Sequence, residues 1–185
     1  MKTKYVFITL GFPGSGKSFV SQWLAEEYNA VHLKVDNLRF AMFDGDRPDL
    51  YTPENKALVN NAVAYVYGQI VKTRTANIIL DGNFNKRSLR LENARLARKY
   101  DALPVVVWVK TPEATAEQRI KSRAETEGHV IFDPNIIQKM LKRMEVPDER
   151  EHVIVLDGLQ TAEQQQADFS KQLSLVEQRL ERLAE

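Results

Sequence analysis

Short apolar runs alternate with longer amphipathic stretches along the chain. Five of the runs are rich in branched apolar residues and have the length of strands, namely Tyr5–Leu10, Ala30–Val35, Asn77–Asp81, Leu103–Val109 and Val153–Leu156. Apolar strands separated by helices are typical of a parallel sheet that is covered by helices on both faces. The pattern therefore predicts an α/β fold with a five-stranded parallel sheet.

Capping sequences mark several of the helices between these strands. Thr52-Pro53-Glu54 and Thr111-Pro112-Glu113 each combine a cap, a proline in the first turn and an acid. Thr161 and Gln164 form a capping box for a final helix, over about 161–184, whose apolar residues recur at spacings of three and four. This helix is expected to pack on the sheet, with a dimer seam as the alternative, so both a monomer and a homodimer remain open. The other predicted helices are Ser18–Asn29, Asn37–Phe43, 52–74, Ser88–Tyr100, 111–123 and Pro134–Met144.

Composition narrows the class of protein. The chain has 185 residues, a formal net charge of +1 and no cysteine. A single domain over residues 1–185 is expected, without disulfides or cysteine-ligated zinc. No apolar run approaches the ~18 residues of a membrane span, and the N-terminal run is too short for a signal peptide. The prediction is a cytoplasmic protein with no membrane partner.

One motif carries a specific chemistry. Residues 11–18 read GFPGSGKS and match G-x-x-x-x-G-K-[ST] between a predicted strand and a predicted helix. Such a loop wraps its N–H groups around phosphate, while the lysine reaches the β- and γ-phosphates and the hydroxyl ligates Mg²⁺. The residues predicted to bind ATP are Gly11, Pro13, Gly14, Ser15, Gly16, Lys17 and Ser18, with Lys17 also catalytic and Ser18 a ligand of Mg²⁺.

Missing motifs distinguish between classes of phosphate-loop protein. No N-K-x-D or D-x-x-G segment of a GTPase occurs. Mechanical ATPases usually place a glutamate after the strand-end aspartate to activate water, whereas Asp81 is followed here by Gly82. A site without that acid is better suited to pass phosphate to another acceptor. This favours a kinase.

Two aspartates follow predicted strands, at the edge of the sheet where ligands bind. Asp36 comes after the second strand and is predicted to be the general base, with Arg39 on the same face of a short helix. A plain helix cap is the alternative for Asp36. Asp81 ends the third strand and is predicted to orient Mg²⁺, directly or through water, with a solvated strand end as the alternative.

Arginines supply candidate contacts to the transferred phosphate and to the acceptor. Arg119 and Arg123 are four residues apart on a predicted helix that leads into the polar segment Glu125–Asp133. We expect a mobile lid over about 119–134, in which Arg119 binds the nucleotide and Arg123 is catalytic by neutralising charge on the transferring phosphoryl group. A solvated helix surface is the alternative for this pair. Arg87, together with Arg90, is expected near the crevice, where it would meet an anionic acceptor. The three histidines suggest no metal site.

The chain resembles the polynucleotide 5′-kinase group of P-loop kinases. The resemblance rests on the phosphate loop GFPGSGKS, the D-x-x-R at Asp36–Arg39 and the D-x-N-x-N at Asp81–Asn85. Arg119-x-x-x-Arg123, followed by a loop, Pro134 and a helix rich in Ile and Met, is similar to the lid of that family. The layout also resembles that of zeta toxins and chloramphenicol phosphotransferases, which act on other acceptors. The resemblance covers about residues 4–157.

This resemblance implies roles for individual residues. Lys17 and Ser18 would serve ATP and Mg²⁺, and Asp36 would be the general base. Arg39 would hold the phosphate of the acceptor, and Arg123 would touch the phosphates of the nucleotide. One segment departs from the family, because Ala124–Glu127 reads AETE where a basic, glycine-rich run is usual.

The sequence as a whole predicts an ATP-dependent kinase that transfers the γ-phosphoryl group to a hydroxyl. The first expectation for the acceptor is a nucleic-acid or nucleotide 5′-hydroxyl, and the second is a small alcohol such as a sugar, a nucleoside or an antibiotic. A third alternative is a regulatory module that binds nucleotide without transfer, although a mere binder needs neither Asp36 nor Arg39. No motif identifies the acceptor within Phe40–Val71, where acceptor pockets lie.

Overall fold

The computed structural model describes residues 3–43, 52–73, 76–127, 135–148 and 150–184. The strands are β1 (Lys4–Leu10), β2 (Val31–Lys34), β3 (Ile78–Asp81), β4 (Ala102–Lys110) and β5 (Val153–Asp157). The helices are α1 (Lys17–Glu27), α2 (Val35–Phe43), α3 (Pro53–Thr73), α4 (Arg87–Lys99), α5 (Glu113–Glu127), α6 (Ile136–Leu141) and α7 (Ala162–Ala184). The sequence therefore located every strand to within one or two residues at each end.

All five strands run parallel, in the order β2-β3-β1-β4-β5. The predicted five-stranded parallel sheet is thus confirmed. Strand β1 lies in the centre, with β3 on one side and β4 on the other. Because parallel strands end at the same edge, the residues that follow β1, β3 and β4 are neighbours in space. This arrangement decides which side chains surround the phosphate loop.

Helices cover both faces of the sheet, as predicted. On one face, Phe7 of β1 packs against residues of α1 and α7, and the rings of Phe7 and Phe169 meet edge to face with centroids 5.5 Å apart. On the other face, Val6 and Ile8 pack against α3 and α4. The expectation that α7 packs on the sheet is confirmed for its first half, although Leu183 near its end is 76% exposed. Within the described ranges, no helix is both long and apolar enough to cross a bilayer.

Several helix boundaries differ from the prediction. Helix α2 begins at Val35, two residues early, and α6 spans only Ile136–Leu141. Helix α5 continues to Glu127, so the first three residues of the predicted loop Glu125–Asp133 are helical. Alanine and glutamate favour a helix, so the polar character of this stretch does not end it. The remainder of that loop lies outside the described residues. So does the stretch 44–51, which is rich in Asp, Gly and Pro and is predicted from the sequence to be a loop.

A buried ion pair joins α4 to the segment before β5. The Arg90 side chain is fully buried, and its guanidinium donates to both carboxylate oxygens of Glu151, at 2.6 and 3.1 Å. The same group donates to the backbone carbonyls of Phe84, Asn85 and Glu145 at 2.9–3.2 Å. Because these bonds use all five donors of the arginine, its charge is stabilised without water. This pair holds the loop after β3 against the segment that follows α6.

Replacing Glu151 with glutamine is expected to destabilise the fold by about 3–5 kcal/mol, because the buried charge of Arg90 loses its partner. Urea denaturation measures this loss. Glu92→Gln, on the exposed side of α4, is the matched control and should stay within about 0.5 kcal/mol of the wild type. Equal effects of the two substitutions would show that the buried pair does not stabilise the fold.

Candidate active site

The phosphate loop lies at the carboxyl end of β1, where α1 begins. Gly16 precedes the first residue of α1, no side chain caps this helix, and its first turn contains no acidic residue. The N–H groups of an uncapped first turn attract anions, since they carry the positive end of the helix dipole. The loop therefore presents backbone donors of the kind that bind phosphate.

Helix α5 supports the loop from one side. Gly14 has φ 76°, and a Cβ at this position would lie 2.4 Å from the carbonyl oxygen of Ala116 in α5. Only glycine fits both the backbone angle and this close approach. Arg119 of α5 donates to the carbonyl oxygen of Gly14 at 3.3 Å and to that of Gly158 at 3.0 Å. Arg119 is thus brought to the loop that it was predicted to serve.

Lys17 contacts the phosphate loop and interacts electrostatically with two carboxylates. Its Nζ donates to the carbonyl oxygen of Phe12 at 3.0 Å. Burial lowers the pKa of Lys17 from 10.5 to about 8, while the negative charges of Asp81 and Asp36 oppose this shift. Most of the lysine therefore remains protonated at neutral pH. The site combines one cation with two carboxylates.

Asp81 ends β3, the strand next to β1. It is only 8% exposed, and its Oδ2 lies 3.0 Å from His32 Nε2 on β2. No role was predicted for His32, because the contact depends on β2 and β3 being neighbours. The register of this strand pair, with Lys34 opposite Asp81, is the structural feature that brings the histidine to the carboxylate.

The residues predicted to hold Mg²⁺ fit that ion as partial ligands. Ser18 is exposed in the first turn of α1, and Asp81 offers a carboxylate beside Lys17. Mg²⁺ in kinases is held by one or two protein oxygens, with phosphates and water completing its shell. Among the described residues, no group of three or more histidine, aspartate or glutamate side chains is placed to hold a metal ion.

Asp36 and Arg39 meet on one face of α2, as the spacing predicted. Arg39 Nη2 lies 2.6 Å from Asp36 Oδ1, and the carboxylate is 61% exposed while the guanidinium is 19% exposed. The arginine is thus held close to the protein and the carboxylate projects from it. An exposed carboxylate in this position is accessible to a hydroxyl group.

A small cavity lies between α3 and α4. Val35, the residue before Asp36, is part of its wall. The other lining residues are Asn60, Val63, Ala64, Asn83, Phe84, Leu89, Glu92 and Asn93. Its volume is only about 30 Å³, close to that of a single water molecule, so the cavity as it stands does not hold a substrate.

The predicted acceptor arginines are engaged within the protein. Arg87 Nη2 lies 2.6 Å from Asp148 Oδ2, and the backbone N–H of Arg87 donates to Glu145. Arg90 is fully buried by its pair with Glu151, so the expectation that it faces an acceptor is wrong. Spacing alone could not reveal this, because its partner lies 61 residues later in the chain.

Arg123 lies on α5, one turn beyond Arg119, and its side chain is exposed. Phe12 of the phosphate loop packs against Ala116 and Ile120 of the same helix, together with Met140 and Leu141 of α6. Both flanks of the predicted lid are therefore anchored near the phosphate loop.

Comparisons with known proteins agree with this geometry. A family model described as "AAA domain" matches residues 6–147. A comparison with curated protein sequences found no significant match.

Solved structures share the fold. A gluconokinase from Sinorhizobium meliloti 1021 has a TM-score of 0.71 at 17% identity, over 100% of both chains. A sugar kinase from Janibacter sp. HTCC2649 has a TM-score of 0.66 at 21% identity, over 95% of both chains. Kti12 from Chaetomium thermophilum, in complex with ADP-AlF3, has a TM-score of 0.71 at 17% identity, over 90% of this chain and 96% of that chain. The chain has the α/β fold of P-loop kinases and belongs to the AAA-domain family.

Proposed function

We propose that this protein transfers the γ-phosphoryl group of ATP to a hydroxyl group of a small molecule. The observation that carries the proposal is the position of Lys17, which lies at the phosphate loop within the electrostatic influence of both Asp81 and Asp36. One of these carboxylates, that of Asp81, would serve in binding ATP with Mg²⁺. The second, exposed carboxylate is then available for chemistry on an acceptor.

Each residue has a distinct role in this reaction. Backbone donors of the loop and Lys17 hold the β- and γ-phosphates, and Arg119 and Arg123 neutralise charge on the transferring group. Ser18 and Asp81 would hold Mg²⁺, which would neutralise the phosphates when bound. Asp36 accepts the proton of the attacking hydroxyl, and Arg39 orients this carboxylate through their ion pair.

The site supports transfer to an alcohol better than hydrolysis or simple binding. Gly82 follows Asp81, so the glutamate that would activate water in a mechanical ATPase is replaced by a residue without a side chain. A regulatory module that only binds nucleotide has no use for an exposed base held by an arginine. The Asp36–Arg39 pair therefore favours an enzyme.

Charge supports a small alcohol over a nucleic acid as acceptor. Arg87 is paired with Asp148 and Arg90 is buried, so two of the cations expected to meet a phosphate chain are already engaged. The end of α5 adds the acids Glu125 and Glu127. Two of the similar structures bear the names gluconokinase and sugar kinase.

A nucleic-acid or nucleotide 5′-hydroxyl is the second candidate acceptor. It is favoured by the D-x-x-R at Asp36–Arg39, on which the resemblance to polynucleotide kinases partly rests. In that case Arg39 would touch the phosphate next to the 5′-hydroxyl.

Transfer from γ-labelled ATP distinguishes these acceptors. The panel comprises sugars, sugar acids, nucleosides, aminoalcohols and 5′-hydroxyl oligonucleotides. We expect a small alcohol to be labelled, with an affinity for a neutral acceptor that hardly depends on salt. An oligonucleotide acceptor would instead give a log–log salt slope of about −1 to −2, because each phosphate contacted contributes about 0.7. Labelling of oligonucleotides alone would overturn the first candidate in favour of the second.

A further inference from the structure

A threonine hydroxyl from the neighbouring strand supports the phosphate loop. Thr111, the residue after β4, donates from Oγ1 to the carbonyl oxygen of Ser15 at 2.8 Å. Both residues are buried, and they lie 96 positions apart in the chain. The bond exists because β4 is the direct neighbour of β1, whose carboxyl end leads into the loop.

This bond determines which way one peptide group of the loop faces. No cis peptide bond occurs in the described residues, and in a trans peptide the C=O and the following N–H point in opposite directions. Since the Ser15 carbonyl is turned toward Thr111, the N–H of Gly16 is turned away from β4. A reversed peptide would place a carbonyl oxygen where the phosphate needs a donor.

The surrounding residues enclose the bond. A Cβ at Gly158, after β5, would lie 2.0 Å from Thr111 Oγ1 and 2.4 Å from the Ser15 carbonyl oxygen. Gly158 therefore lets the chain cover the bond closely, and no larger side chain fits there. Arg119 donates to the carbonyls of Gly14 and Gly158 on either side. A hydrogen bond shielded from water in this way holds its geometry.

We propose that Thr111 is a positioning residue for nucleotide binding, which orients the Ser15–Gly16 peptide so that the N–H of Gly16 donates to a phosphate of the nucleotide. The inference rests on the nucleotide-binding part of the proposed function. Thr111 would act indirectly, because it contacts the phosphate loop and not the nucleotide.

Thr111→Val and Thr111→Ser separate this role from packing. Valine keeps the shape of threonine without the donor, whereas serine keeps the donor. We expect Thr111→Val to bind an ATP analogue with Mg²⁺ about tenfold more weakly, since one hydrogen bond is lost, and Thr111→Ser to stay within about threefold of the wild type. The KM for ATP should rise with little change in kcat, because the donor serves ground state and transition state alike.

The control is Thr73→Val, which removes a comparable hydroxyl-to-carbonyl bond on the exposed side of α3. It should leave nucleotide affinity unchanged. A Thr111→Val protein with wild-type affinity would overturn the proposal, as would equal losses of affinity in the valine and serine variants. A lowered melting temperature with unchanged affinity would likewise overturn it, by assigning Thr111 a structural role only.

An NMR measurement on the wild-type protein tests the same proposal without any substitution. The amide proton of Gly16 should move downfield in the NMR spectrum when the ATP analogue is added, because it gains a charged acceptor. An unmoved Gly16 signal at saturation would overturn the proposal. Binding without transfer to any acceptor would refute the proposed phosphotransferase, and the Thr111 test would still stand, since binding is its readout.

Discussion

Lys17→Met is expected to weaken ATP binding by roughly 100-fold or more, and at the same time to stabilise the nucleotide-free protein. The first effect follows from the loss of a charged donor to the phosphates. The second follows from burial, which lowers the pKa of Lys17 to about 8 and makes its charge unfavourable in the folded state.

The pH dependence of this stabilisation has a definite sign. The folded pKa of Lys17 lies below its unfolded value of 10.5, so between about pH 8 and 10.5 the unfolded chain binds more protons. The stability of the wild type therefore rises across this window, and below it the penalty for the charge is constant. The advantage of Lys17→Met should therefore shrink as the pH rises.

Calorimetric titration with ATP and Mg²⁺, together with thermal melts at pH 7 and pH 9.5, measures both effects. Lys72→Met, an exposed position on α3, is the matched control and should change neither. Unchanged affinity in Lys17→Met would contradict the role of the loop. A lower melting temperature at pH 7 would contradict the unfavourable burial of the charge.

Asp36→Asn should retain ATP binding, and its rate of phosphoryl transfer should fall by about 10²–10⁴-fold, the usual effect of removing a general base. Asparagine has the same shape and serves well near a helix start, so stability should change by about 1 kcal/mol or less. The exposed ion pair with Arg39 adds little to stability. Single-turnover rates beside nucleotide titrations separate the two steps.

The control for this substitution is Asp101→Asn, an exposed aspartate before β4, at the opposite edge of the sheet. Asp101 has a positive φ of 55°, which asparagine also tolerates. Asp101→Asn should leave both ATP binding and phosphoryl transfer unchanged. If Asp36→Asn transfers phosphate as fast as this control, Asp36 is a helix-start residue and not the base.

Much of the fold could be predicted from local pattern. Apolar runs locate the strands because the strands of a parallel sheet are buried on both faces. The capping box at Thr161 and Gln164 is formed as predicted. The backbone N–H of Thr161 donates to Gln164 Oε1 at 3.0 Å, and the backbone N–H of Gln164 donates to Thr161 Oγ1 at 3.4 Å. The phosphate loop was found because its function depends on consecutive residues.

Contacts between distant parts of the chain could not be predicted in this way. His32 meets Asp81, and Thr111 meets Ser15, only because of the order of strands in the sheet. The sequence predicts Arg90 near the crevice, where it would meet an anionic acceptor, yet a glutamate before β5 makes its burial favourable. Strand order and buried partners are tertiary features, and one sequence does not display them.

Phosphorus NMR of the reaction tests the central claim most directly, because the phosphorylated product gives a signal whichever alcohol accepts the phosphate. The sample contains ATP, Mg²⁺, the protein and a mixture of small alcohols, sugars and 5′-hydroxyl oligonucleotides. We expect a phosphomonoester signal to appear as ATP is consumed, and to be absent with Lys17→Met and with Asp36→Asn. Release of inorganic phosphate alone by the wild type, or an equal monoester signal with Asp36→Asn, would contradict the account.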